Sequence, residues 1–168
     1  MTEQLTNDEV ARLRRLLDED EIRKLRLLYS QLMDAGRIDE LAEIFTEDAV
    51  CRFGDFGDWE GRSTIRDNFA MVDRDSHGGV PFHAMHSNSD HWIEFTGADS
   101  AVGRGYLIDI VTQRAPDAVP IAVIGVYDEE YRRVSGSWQI ARCALQFLWP
   151  RKQVSDDFEE PFGSQPQE

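Results

Sequence analysis

The residues best suited to proton transfer are four histidines, His77, His83, His86 and His91, together with a few carboxylates and one tyrosine. An imidazole takes or gives a proton near neutral pH. A carboxylate on one of its ring nitrogens fixes the tautomer and stabilises the imidazolium. Two carboxylates attract attention. Asp34 stands near the end of a helical segment, and Asp109 sits between Ile108 and Ile110 in an apolar one. Strand alternation groups Asp109 with Leu107 and Val111, which favours an inner face. Tyr29 lies on an apolar helical stripe, as a core tyrosine or as a hydroxyl donor. By residue type alone, Asp34 also fits a solvated helix end and His86 a satisfied or surface histidine. Zinc needs three or four convergent ligands. On a continuous strand, His83 and His86 point to opposite faces, as do His86 and His91. His83 and His91 share a face but lie roughly 26 Å apart. No metal site is therefore expected, and His77 reads as a solvent or pocket-rim residue in a glycine-containing loop.

These side chains need a scaffold. Residues 1–17 read as a polar extension in which Thr6 to Glu9 could cap a short helix. From Asp18, Ile22, Leu25, Tyr29, Leu32 and Met33 recur at helical spacing, with Gly36 as the stop. Ile38, Leu41, Ala42 and Phe45 give a second, shorter helix. Residues 49–53 read as a strand. A third helix follows Gly61, with Ser63 as N-cap and Ile65, Phe69 and Val72 on its buried side. Four long strands are expected at 84–95, 101–113, 119–133 and 137–149, with turn residues between them. Short turns between long strands imply antiparallel neighbours. Helices first and sheet second predict an α+β domain over 18–150. Residues 151–168 read as an acidic tail.

Composition excludes several classes. Eighteen basic residues against 32 acidic ones give a net charge of −14. That balance repels phosphate backbones and anionic lipid, so neither nucleic acid nor a membrane surface is an expected partner. The longest mostly apolar run, 119–126, is far too short for a bilayer span. The first residues have no basic or apolar signal pattern, which predicts a cytoplasmic protein. Cys51 and Cys143 sit in apolar patterns and are expected to be buried free thiols. No dinucleotide fingerprint, phosphate loop or nucleophile elbow occurs.

The order of landmarks resembles the SnoaL-like branch of the NTF2-like superfamily. The resemblance rests on Tyr29 and Asp34 on the first helix, then Phe45-Thr46-Glu47-Asp48-Ala49-Val50. It continues through Gly61 before the third helix, His86, the turn 96–99, Gly125-Val126-Tyr127 and Trp138-Gln139-Ile140. It implies a cone: three helices wrapped on a strongly curved antiparallel sheet, with an apolar pocket open at one end. The pattern is nearest to scytalone dehydratase, bile acid 7α-dehydratase and hexachlorocyclohexane dehydrochlorinase. His86 and Asp34 match the histidine and aspartate those families share, while Tyr29 and Asp109 match two further positions of the bile acid dehydratase pattern. Phe53 stands near the place where scytalone dehydratase has a tyrosine.

The resemblance implies a cofactor-independent lyase, a dehydratase-type eliminase or related isomerase, acting on a small hydrophobic cyclic molecule. His86 would be the base and Asp34 its orienting partner, with Tyr29 and Asp109 assisting. Phe53, Phe56, Trp59, Phe69 and Trp92 would enclose the site. Arg142, grouped by alternation with Trp138 and Ile140, would either grip an acidic group in the pocket or pair on the outer face. Other readings of the same cone are a non-catalytic binding protein, a polyketide cyclase, an epoxide hydrolase and a small dioxygenase subunit. A homo-oligomer, trimer or dimer, is also implied.

Overall fold

The structure, a computed structural model, describes residues 4–76, 84–111 and 119–159. His77, His83 and the expected turn at 115–117 lie outside the described residues. Helix α1 spans Asn7–Asp34 and starts with a capping box. The Thr6 side chain accepts from the Glu9 N–H, and the Glu9 carboxylate accepts from the Thr6 N–H at 2.8 Å. No glycine or proline occurs between those ends. The helix therefore runs through the segment expected as an extension, because nothing in it opposes helical propagation. Gly36, at φ 66°, follows its end.

Helix α2 covers Ile38–Glu43, and Phe45 is the first residue of strand β1 (Phe45–Arg52) rather than the end of α2. A short helical turn leads into β2 (Asp58–Glu60), which pairs back on β1. Helix α3 spans Arg62–Ser76. The long strands are β3 (Ala84–Phe95), β4 (Ser100–Val111), β5 (Ile121–Val134) and β6 (Ser137–Trp149). The sheet order is β2-β1-β6-β5-β4-β3. Its β1–β6 pair is parallel, so the sheet is mixed rather than wholly antiparallel. No hairpin joins β1 to β6, so no tight turn dictates their direction.

The helices cover one face of the sheet. Ile22, Leu25, Tyr29 and Leu32 of α1, with Ile65 and Phe69 of α3, meet Leu107, Tyr127, Ile140 and Cys143 of the strands in one core. Asp18, near the middle of α1, ties the helix to β5 and β6, pairing with Arg133 and accepting from the Trp138 indole at 3.3 Å. Cys51 and Cys143 are both buried free thiols, opposite each other across β1 and β6. Part of the expected tail docks on the far face of the sheet. Gln153 exchanges 2.9 Å backbone bonds with Phe147, and Ser155 bonds Gln146. No described helix is long and apolar enough to cross a membrane.

Two β-bulges decide which side chains face inward. On β3 the register steps from Ser89↔Tyr106 to Trp92↔Arg104, three residues against two, with Asp90 at φ 50°. On β6 it steps from Tyr131↔Ile140 to Glu130↔Arg142, one residue against two. Each extra residue reverses alternation beyond it. His91 consequently joins His86 on the inner face, against the expectation of opposite faces. Its ring lies over Gly103, where an added Cβ would stand 2.9 Å from His91 Nε2 and from a Tyr131 ring carbon. Gly103→Ala is therefore expected to cost about 1–3 kcal/mol, read as a lowered urea midpoint.

Candidate active site

The inner face and the helices leave a cavity of about 260 Å³. Its wall is largely aromatic and aliphatic: Phe53, Trp59, Phe69, Leu107, Val123 and Leu145 are among the lining residues. The rings pack edge to face, with Phe53–Trp59 centroids at 4.9 Å and Trp59–Phe69 at 5.1 Å. Phe56 forms the rim against Phe147. Tyr29, His86, Asp109 and Tyr127 contribute the polar groups.

His86 and Asp34 meet because α1 runs beside the free edge of the sheet. Among the described residues, strand β3 is the outermost strand on that side and pairs only with β4. An edge strand leaves N–H groups that need acceptors. Asp34, at the last turn of α1, supplies one: its carboxylate accepts from the His86 N–H at 3.1 Å. The same carboxylate contacts His86 Nδ1 at 2.5 Å. With Nδ1 donating to Asp34, the Nε2 lone pair is left for the cavity. Asp109 stands directly opposite His86 in the β3–β4 register, its Oδ2 4.0 Å from Nε2. The imidazole thus lies between two carboxylates, both part-buried.

Further along the same seam, Asn88 donates to the Ser30 hydroxyl at 2.5 Å. Deeper still, the fully buried Arg26 donates to Glu129 at 2.7 Å, and its guanidinium lies 3.7 Å from the Tyr29 ring centre and 4.0 Å from that of Tyr127. Tyr131 donates to Glu129 at 2.5 Å, and its oxygen lies 3.1 Å from His91 Nε2. The tyrosine's one hydrogen goes to the carboxylate, so His91 carries its proton on Nε2. Burial pushes the His91 imidazole below its ordinary range.

Two expected lining residues fall elsewhere. Trp92 follows the β3 bulge, stands on the opposite face and is 59% exposed. Arg142 follows the β6 bulge and faces the cleft of the docked C-terminal segment beside Gln146, Ser155 and Asp157. Arg104 is also on that face, paired with Asp128 at 2.7 Å, away from Asp109. Binding of 2-naphthol in the cavity is accordingly expected to survive Trp92→Ala and Arg142→Ala within about two-fold in a fluorescence titration. Sequence reading missed Tyr127 and the Arg26–Glu129 pair. Their signals were present: Arg26, Ser30 and Asp34 recur every four residues on one helix face, and Tyr127 shares parity with Glu129 and Tyr131. Among the described residues, no group of three or more His, Cys, Asp or Glu side chains could hold a metal ion.

The structure is a small α+β cone with a histidine–aspartate contact at its pocket, and the comparisons agree on the fold. The SnoaL-like domain family matches residues 14–144, and the chain belongs to that family. A scytalone dehydratase-like protein of Novosphingobium aromaticivorans superposes with a TM-score of 0.74 at 20% identity, over 87% of this chain and 97% of its own. The hexachlorocyclohexane dehydrochlorinase LinA-type3 of Novosphingobium barchaimii gives 0.71 at 21%, over 87% and 95%. An NTF2-like protein with a cystatin-like fold, also from N. aromaticivorans, gives 0.71 at 22%, over 90% and 94%. No curated protein matches the chain by sequence.

Proposed function

We propose that the protein is a cofactor-independent lyase that removes water, or a comparable leaving group, from a small hydrophobic cyclic substrate. The observation carrying this reading is the 2.5 Å Asp34–His86 contact on the wall of an otherwise apolar cavity. The dehydratase-like and dehydrochlorinase relatives support it as analogy. In a β-hydroxy ketone, His86 Nε2 takes the proton from the carbon beside the carbonyl. The electrons of that C–H bond move toward the carbonyl, and the Tyr29 hydroxyl donates to the resulting enolate oxygen. They then return to form the C=C bond as the bond to the leaving hydroxyl breaks. The imidazolium hands its proton to that hydroxyl, and water departs with the imidazole restored. Asp34 and Asp109 stabilise the imidazolium between the two transfers. A cavity of about 260 Å³ suits a mono- or bicyclic substrate better than a steroid, since pockets for drug-sized ligands begin at about 300 Å³.

The test needs no knowledge of the natural substrate. 2-Tetralone, a bicyclic ketone with an acidic C–H, should exchange that hydrogen for deuterium faster with the protein present, as followed by NMR in D₂O. Bound ketone without accelerated exchange would replace the lyase reading with that of a binding protein.

A further inference from the structure

We propose that Tyr127 is a second hydroxyl donor to the substrate oxygen, acting beside Tyr29, and that the buried Arg26–Glu129 ion pair is the positioning element that holds both rings. The proposal deepens the lyase reading and rests on it for the word substrate, but its geometry is independent of His86.

Tyr29 and Tyr127 line the cavity with centroids 5.9 Å apart and ring planes at 65°. They are 3% and 2% exposed. Neither hydroxyl has a hydrogen-bond partner among the described residues, whereas the buried Tyr131 hydroxyl is bonded on both sides. Neither oxygen is among the buried unpaired polar atoms of the described residues, so both hydroxyls are reached from the cavity and are set to bond what occupies it. Burial pushes both phenols well above their ordinary range, and the nearby Asp109 charge adds to this at Tyr127. Each therefore stays protonated and remains a donor. Two neutral donors on one wall suit an oxygen that gains negative charge, as an enolate does.

Arg26 fills the corner between the two rings, its guanidinium carbon over both of them. Its cation opposes the effect of burial on Tyr127 and polarises both phenols as donors. Glu129 accepts from Nη1 and thereby locks the guanidinium in that corner, while Nε and Nη2 have no hydrogen-bond partner among the described residues and are left against the rings. A charged pair at the base of an apolar pocket is thus explained by the rings it orients.

The test compares two probes of one shape, 2-naphthol and naphthalene, titrated against the intact protein. In Tyr127→Phe the preference for naphthol should fall about ten-fold while naphthalene affinity holds. Tyr29→Phe should act alike. Arg26→Met combined with Glu129→Leu, which leaves no lone buried charge, should lower the same preference without Tyr127 being touched. An unchanged preference in Tyr127→Phe would overturn the donor role, and an equal loss for both probes would reduce Tyr127 to packing. An unchanged preference in the double variant would overturn the positioning role. Absence of 2-tetralone exchange with the naphthol preference intact would sink the lyase reading alone, so the two failures are distinguishable.

Discussion

His86→Ala is expected to lower the protein-dependent deuterium exchange of 2-tetralone by at least about 100-fold, the scale of a positioned general base. Among the described residues lining the cavity, His86 is the one imidazole. Asp109 lies 4.0 Å from Nε2, on the neighbouring strand, and removal of the ring leaves a gap between that carboxylate and the site of the lost base. Asp34→Asn should be nearly as damaging. The amide keeps an oxygen for the His86 N–H but removes the negative charge beside Nδ1 and can favour the wrong tautomer. NMR exchange rates for the two variants, with urea denaturation showing both folded, would check this. Retained exchange in His86→Ala would end the proposal that the imidazole is the base.

The second large effect concerns stability. Arg26→Ala should cost about 3–5 kcal/mol, because it strands the Glu129 carboxylate in the core with Tyr131 as its remaining hydrogen-bond donor among the described residues. Both members of the pair are 1% exposed or less in their side chains, so water cannot compensate. For a chain of this size that loss corresponds to a fall in Tm of about 6–20 °C. Arg26→Met with Glu129→Leu should recover most of it, since two apolar residues of similar volume remove the need for pairing. Calorimetry on the single and double variants would check the contrast. A single variant as stable as the parent would show that the carboxylate finds another partner or a proton.

Much of the scaffold was legible in the chain. Strands β3 and β6 run where turn residues and alternation set them, because Thr96-Gly97 and Ser135-Gly136 leave few other places to reverse direction. Helix α1 was read short because residues 1–10 are polar, although polarity does not break a helix when neither glycine nor proline intervenes. Of the positions matched, Tyr29, His86 and Asp109 line the cavity and Asp34 reaches it through His86, while Phe53, Phe56, Trp59 and Phe69 line it as well. The misplacements of Trp92, Arg142 and His91 share one cause. Alternation is a local rule, and a bulge of one residue inverts it for everything beyond. Asp90 is an ordinary-looking residue for such a position, since aspartate tolerates positive φ without announcing it. The Arg26–Glu129 pair went unread for a different reason. The two lie far apart in the chain, and only the packing of α1 across β5 and β6 brings them together.

Asp34 serves two masters. Its carboxylate closes the exposed rim of β3 by accepting from the His86 main chain, and it also holds the imidazole ring. Such rims template the addition of foreign strands unless something blocks them. Losing the carboxylate would therefore unmask an amide on the sheet border as well as release the ring. One side chain thus joins protection of the sheet border to placement of the imidazole, and neither can drift without consequence for the other.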